Sequence, residues 1–248
     1  MRPDQAYDSA AAHPAPGIPA LARGCLHEVH AGIADWAAAL AFVLAGTGAS
    51  ADGPVLMALG PRRGAPPMRL CGAGLGALGI DPARLLLVEA RDERALLRAG
   101  LDAARCPRLA AVVLAAWGRF ALYDLTASRR LVLAAESSGL PVIVLRGDAE
   151  PRSSAAHTRW AIRPAPSVAL PADAPGLPAI EAELLRQRGG AAGRRWRLEW
   201  DFDKGDFREC PEPRSAAGDG GGADAPSLSG AVVPLFRLRE GEERSRVA

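Results

Sequence analysis

The chain has 248 residues, 49% of them apolar and only 5% aromatic, so it can fill one substantial core, built mainly from Ala, Leu and Val. A formal net charge of +2 argues against a strongly electrostatic, non-specific nucleic-acid binder. Four scattered cysteines without a C-x-x-C pair form neither a disulfide framework nor a zinc cage, and they suit a reducing cytoplasm.

In chain order, residues 1–20 are Pro- and Ala-rich and read as a flexible segment, with neither the basic start nor the apolar stretch of a signal peptide. Leu26–His30 reads as a strand, and Asp35–Ala45 as a helix with Trp36, Leu40, Val43 and Leu44 at helical spacing and Asp35 as its cap. Trp36–Ala45, the longest apolar run, is too short to span a bilayer, so no membrane partner is expected. Pro54–Leu59 has strand length, Gly60–Pro67 is a Gly/Pro/Arg loop, and Gly72–Leu78 is a short helix ended by Gly79.

The clearest rhythm follows. Arg84–Val88, Ala111–Ala115 and Pro141–Leu145 are apolar strands. Between them lie amphipathic helices, Asp92–Arg105 with Leu96, Leu97 and Leu101 on one face, and Tyr123–Ser138 with Leu125, Leu131, Leu133 and Ala134 inward. Apolar strands alternating with such helices predict a mostly parallel sheet covered on both faces. Thr158–Arg163, Ile180–Gln187 and Arg194–Phe202 read as edge strands, the last two as a hairpin across Gly189–Gly193. After Asp203 hydrophobicity falls, and residues 204–248 read as a largely disordered tail.

Several motifs carry competing readings. Gly74–Gly79 spells G-x-G-x-x-G, which in a dinucleotide fold follows a strand and opens a long helix. Here a Pro/Arg loop precedes it and Asp81-Pro82 cuts the helix, so a packing turn is the better reading. A triphosphate loop needs glycines, a lysine and a hydroxyl between the first strand and its helix. Ala31–Trp36 offers one glycine, no lysine and an aspartate that repels phosphate; Lys204 is the chain's only lysine. The strand Ala111–Ala115 ends without a carboxylate for magnesium, so ATP turnover and a bound nucleotide cofactor are not expected.

His27 and His30, three apart on a strand, point to opposite faces and cannot share a metal; with Glu28 they suit packing or hydrogen bonding. No G-x-S-x-G elbow is present. Glu199, Asp201 and Asp203 read as solvated charges on a terminal strand. The candidate contact region is Arg146, Arg152, Arg159, Trp160 and Arg163, which follow a strand's carboxyl end and enclose Ser153–Ala156. Such residues suit single-stranded DNA or a protein partner, and equally the surface loop of an arginine-rich protein.

Ordered blocks give a resemblance. Arg23-Gly24-Cys25-Leu26-His27-Glu28-Val29 resembles the opening of the ImuA proteins. Leu75 to Val88, Asp124 to Leu131, Leu133 to Glu136 with Gly139-Leu140-Pro141, Ala155 to Trp160, and Leu184 to Gly190 running into Leu198-Glu199-Trp200 continue the likeness. It spans Leu21 to Asp203, departing at Pro61-Arg62-Arg63-Gly64, to which no role is transferred. The resemblance implies a RecA-like α/β three-layer core with a degenerate phosphate loop and a C-terminal β-hairpin. It implies a non-enzymatic adaptor in damage-induced translesion synthesis, cytoplasmic and nucleoid-associated. Its expected partners are an ImuB-type Y-family polymerase homologue, a recombinase (RecA), and, indirectly, an error-prone replicative-type polymerase. In the tail, Val232–Phe236 is an apolar island whose Leu235 and Phe236 faintly resemble a sliding-clamp peptide. A SulA-like inhibitor of cell division, or a dinucleotide-dependent enzyme using Gly74–Gly79, are the alternatives.

Overall fold

The computed structural model describes residues 20–47, 53–61, 70–168, 170, 174 and 176–210. Nine strands form one sheet: β1 (Leu26–Ala31), β2 (Val55–Leu59), β3 (Leu85–Glu89), β4 (Ala111–Trp117), β5 (Val142–Gly147), β6 (Thr158–Ala165), β7 (Ala179–Gln187), β8 (Arg195–Asp201) and β9 (Asp206–Glu209). Their order is β3-β2-β4-β5-β1-β6-β7-β8-β9. Every pair from β3 to β6 is parallel, and β6 through β9 continue antiparallel. The three-layer core, the mostly parallel sheet and the β7–β8 hairpin are as the sequence leads one to expect.

The central strands are apolar because both faces are covered. Every residue of β1 and β5 is buried, as is β4 up to Trp117. On one face α1 (Trp36–Gly46) lies over Val29, Val113, Ile143 and Leu145, and the same core runs on to Trp160, Trp196, Trp200 and Phe207. On the other, α3 (Glu93–Ala104) and α4 (Leu125–Ser138) cover Leu26, Val112, Leu114, Val142 and Val144. Both helices start where an aspartate caps them: Asp92 accepts from the Ala95 amide and Asp124 from the Ala127 amide, each at 2.7 Å. Helix α4 ends at Gly139, whose φ of 72° is the left-handed conformation glycine adopts without strain.

The structure differs from the sequence reading in five places. Asp35 precedes α1 but makes no side-chain capping bond. Leu125 and Leu133 are 42% and 65% exposed; the inward stripe of α4 is Ser128, Leu131, Ala134 and Ala135. Strands β6, β7 and β8 are interior strands rather than edges, since β6 pairs with β1 and β9 extends the sheet beyond β8. The sheet therefore continues to Glu209, past the boundary expected at Asp203. Finally Glu199 is buried, because β9 places Arg208 across from it, with Nη2 2.6 Å from Oε2. The expected N-terminal segment, save Ala20, residues 211–248, and Leu235 and Phe236 lie outside the described residues.

Candidate functional site

Open parallel sheets place ligands beyond the carboxyl ends of their strands. At that end β1 turns into α1 through Gly32–Asp35, a tight turn in which the Asp35 amide donates to the Gly32 carbonyl at 3.2 Å. A phosphate held there would meet the Asp35 carboxylate and no cationic side chain from the turn. The neighbouring space is taken by indoles. Trp36 at the start of α1 and Trp117 at the end of β4 meet edge to face, their centroids 5.2 Å apart. Both rings press on Gly147 at the end of β5, where a Cβ would collide with them, so only glycine fits. Ala115 and Ala116 stand at the end of β4.

Trp36 and Trp117, with Leu40, Met57, Leu59, Leu70 and Leu87, line an apolar groove that reaches Glu89 at the end of β3. Apart from Glu89 and the two indoles the lining side chains are apolar.

On the opposite face of the sheet the strand ends bury a polar cluster. Glu28 and Arg159 are direct partners across β1 and β6. Glu28 Oε2 accepts from Arg159 Nε at 2.6 Å, and Oε1 accepts from the Tyr123 hydroxyl at 2.7 Å. Burial alone pushes the Glu28 carboxyl up, but its contacts with His30, Ser154 and Tyr123 and the charge of Arg159 outweigh this and hold it at about 2. Burial and the Glu28 charge raise the Tyr123 hydroxyl well above its ordinary range, so it remains a donor. Arg159 also donates to the Ser154 hydroxyl at 3.1 Å and to the Arg152 carbonyl, which fixes the loop before β6. Beside it, Arg146 lies over the rings of Phe120 and Tyr123, 5.6 and 5.9 Å from their centroids, and donates to the Gly118 carbonyl at 3.1 Å. Burial lowers its pKa from the ordinary arginine value. His30 donates through Nδ1 to the Ala149 carbonyl at 3.2 Å and presents Nε2 to Glu28 at 3.8 Å.

His27, on the other face, completes a separate chain. The Trp160 indole donates to the Thr158 hydroxyl, which donates to His27 Nδ1, both at 2.7 Å, while His27 Nε2 donates to the Ala22 carbonyl at 2.9 Å. Burial pushes this imidazole down to about 4, so it is neutral at physiological pH. The two histidines do point to opposite faces, with separate hydrogen-bonding roles. Among the described residues no group of three or more His, Cys, Asp or Glu is arranged to hold a metal ion.

The proposed contact residues are divided by these clusters. Trp160 is 3% exposed inside the α1 core and cannot stack on a base. Arg146 and Arg159, at 4% and 9%, spend their guanidinium groups inside the protein. Only Arg152 and Arg163 are exposed. The arginine-rich region is thus chiefly structural. A signal for the buried pair was present: charges set among apolar strand residues, Glu28 in β1 and Arg159 in β6, suit cross-strand partners. The Gly74–Gly79 motif lies on α2 (Gly72–Ala77), an exposed six-residue helix. A side chain on Gly76 would meet nothing within 4 Å, so close packing does not demand glycine there. Among the described residues no helix is long and apolar enough to cross a membrane.

No protein-family model matches the chain. Over 131 residues it is 42% identical to Protein ImuA from two strains of Caulobacter vibrioides, an alignment covering 48% of this chain and 52% of each relative. The chain spans about half the length of the curated relatives it matches. The crystal structure of the RadB recombinase superposes with a TM-score of 0.50 at 15% identity, covering 77% of this chain and 92% of RadB, which shows the RecA-like fold. The crystal structure of SulA from Pseudomonas aeruginosa matches 44% of this chain and 83% of its own at 27% identity, but its TM-score of 0.34 is too low to relate the two folds.

Proposed function

We propose that this ImuA-family chain is a non-enzymatic adaptor in damage-induced mutagenesis. In this reading its RecA-like core docks an ImuB-type Y-family polymerase homologue. That complex brings an error-prone replicative-type polymerase to a recombinase filament or to single-stranded DNA, in the cytoplasm at the nucleoid. The identity with Protein ImuA supports the assignment of the chain to that process.

The observation that carries the adaptor reading is the carboxyl end of β1 and β4. The turn before α1 supplies a carboxylate where a phosphate needs cations, and the Trp36–Trp117 pair fills the space above Gly147. The end of β4 offers Ala115 and Ala116 where a magnesium-binding carboxylate would stand. In this reading the core, lacking these phosphate and magnesium ligands, retains surfaces for protein partners and has no ATP cycle to drive.

Titration of the full-length chain with a fluorescent ATP analogue and magnesium tests this. The expected result is a linear, non-saturating response. Saturable binding followed by phosphate release would overturn the non-enzymatic half of the reading.

A further inference from the structure

The sheet has two edges of opposite character. At one, β9 reads Asp-Phe-Arg-Glu, and three charged side chains in four residues discourage further pairing. At the other, β3 reads Leu-Leu-Leu-Val-Glu, with no Pro, Lys or bulge to blunt it. Leu86, Leu87 and Val88 are 45%, 50% and 37% exposed. Neither face of β3 is fully covered. Leu87 and Glu89 face the apolar groove, while Leu86 and Val88, one position out of step, face the side carrying α3.

The backbone of β3 is set for a further strand. The Ala90 amide donates to Leu59 of β2, and in a parallel ladder alternate residues turn both polar groups to the same neighbour. Leu86 and Val88 therefore engage β2. Leu85, Leu87 and Glu89 point their amides and carbonyls outward, where no strand among the described residues pairs with them.

We infer that β3 is a self-association edge, and that its partner is the β3 strand of a second copy of this chain, paired antiparallel about a two-fold axis at Leu87. Faces are kept in an antiparallel pair only when residues of equal parity oppose each other. Centring on Leu87 meets this rule and uses every outward group: Leu87 pairs with Leu87, and Leu85 with Glu89 twice. Leu87 then meets its counterpart at the centre of the groove side and Leu86 meets Val88 on the other, so apolar groups oppose apolar groups at the centre of both faces, while the flanking Leu85–Glu89 pairs keep the carboxylates at the two ends. The two Glu89 carboxylates fall four residues apart along the ladder, about 14 Å at ~3.4 Å per residue, beyond a ~10 Å Debye length. The strand is thus self-complementary in backbone polarity and in its central apolar side chains, with like charges kept apart, as an isologous contact demands.

The test is sedimentation of the full-length chain across a concentration series, with Leu87→Pro and Leu87→Glu beside it. Proline at an outward-facing position removes the amide needed by the partner and none used by β2. Glutamate sets two like charges against each other on the axis. The expected result is reversible doubling of the 25.8 kDa chain mass, with the dissociation constant raised at least about tenfold by each variant and far-UV circular dichroism unchanged. Amide exchange gives an independent pattern: Leu85, Leu87 and Glu89 gain protection with concentration, while Leu86 and Val88 stay protected throughout. A chain that is monomeric up to about 100 µM overturns the inference, since a specific contact of this kind should be occupied there. So does a dimer indifferent to both variants, or concentration-independent protection of the outward amides, which would assign the edge to another occupant.

Discussion

His27 offers a direct test of the buried hydrogen-bond chain that ties β1 to β6. Its imidazole titrates at about 4 in the folded protein against 6.5 when unperturbed. Above the unfolded pKa both states hold it neutral and it adds no pH dependence. As pH falls below 6.5 the unfolded chain takes the proton first, so stability is lost progressively until about pH 4, where the folded protein also protonates. Between pH 7 and pH 5 this one group removes about 2 kcal/mol, since each unit of unmatched protonation costs ~1.36 kcal/mol. Glu28, held at about 2 against 4.5, contributes only lower down: its stabilisation is present above pH 4.5 and is lost toward pH 2. Urea unfolding of the wild type and of His27→Gln at half-unit steps from pH 7.5 to pH 5 separates the terms. Glutamine can donate to the Ala22 carbonyl but does not titrate, so the difference between the two stability curves should shrink by about 2 kcal/mol toward pH 5. Parallel curves across this range would refute the assignment of a neutral, buried His27.

Three other outcomes are expected. Arg159→Met leaves the Glu28 carboxylate buried and unpaired and should cost about 3–5 kcal/mol, with the double variant Arg159→Met/Glu28→Leu recovering part of the loss in urea unfolding. Asp92→Ala should cost about 1 kcal/mol by removing the α3 cap, whereas Asp35→Ala, which removes no capping bond, should change stability by less than about 0.5 kcal/mol in the same assay. Arg152→Ala and Arg163→Ala, both exposed, should unfold within about 0.5 kcal/mol of wild type. Any single-stranded DNA affinity measured by anisotropy should fall in them if the region touches DNA.

The sequence made β1, β4 and β5 legible because strands covered on both faces must be apolar throughout, and it made α3 and α4 legible through the helical spacing of their apolar residues. It misled on α4: at 100° per residue Leu133 lies 200° round from Leu131, so the two leucines cannot share a buried stripe. The position of β6 was hidden because Arg159 gives it a half-polar appearance. That polarity belongs to a long-range pairing with Glu28, which local pattern does not encode. Glu199 was misread for the same reason, its partner Arg208 arriving on a strand beyond the expected end of the domain. The make-up of the turn between β1 and α1 and of its surroundings was half legible. The missing lysine, hydroxyl and carboxylate are visible in the residues. The packing of Trp36 on Trp117 over Gly147 unites three segments distant in sequence and emerges only in the fold.

The central claim is that a core without an ATP cycle serves as a docking adaptor. Retention of the host's ImuB-type homologue on the immobilised full-length chain, measured with and without magnesium ATP, tests it most directly. Equal retention in both conditions is predicted. No retention, or retention that depends on ATP, would contradict it.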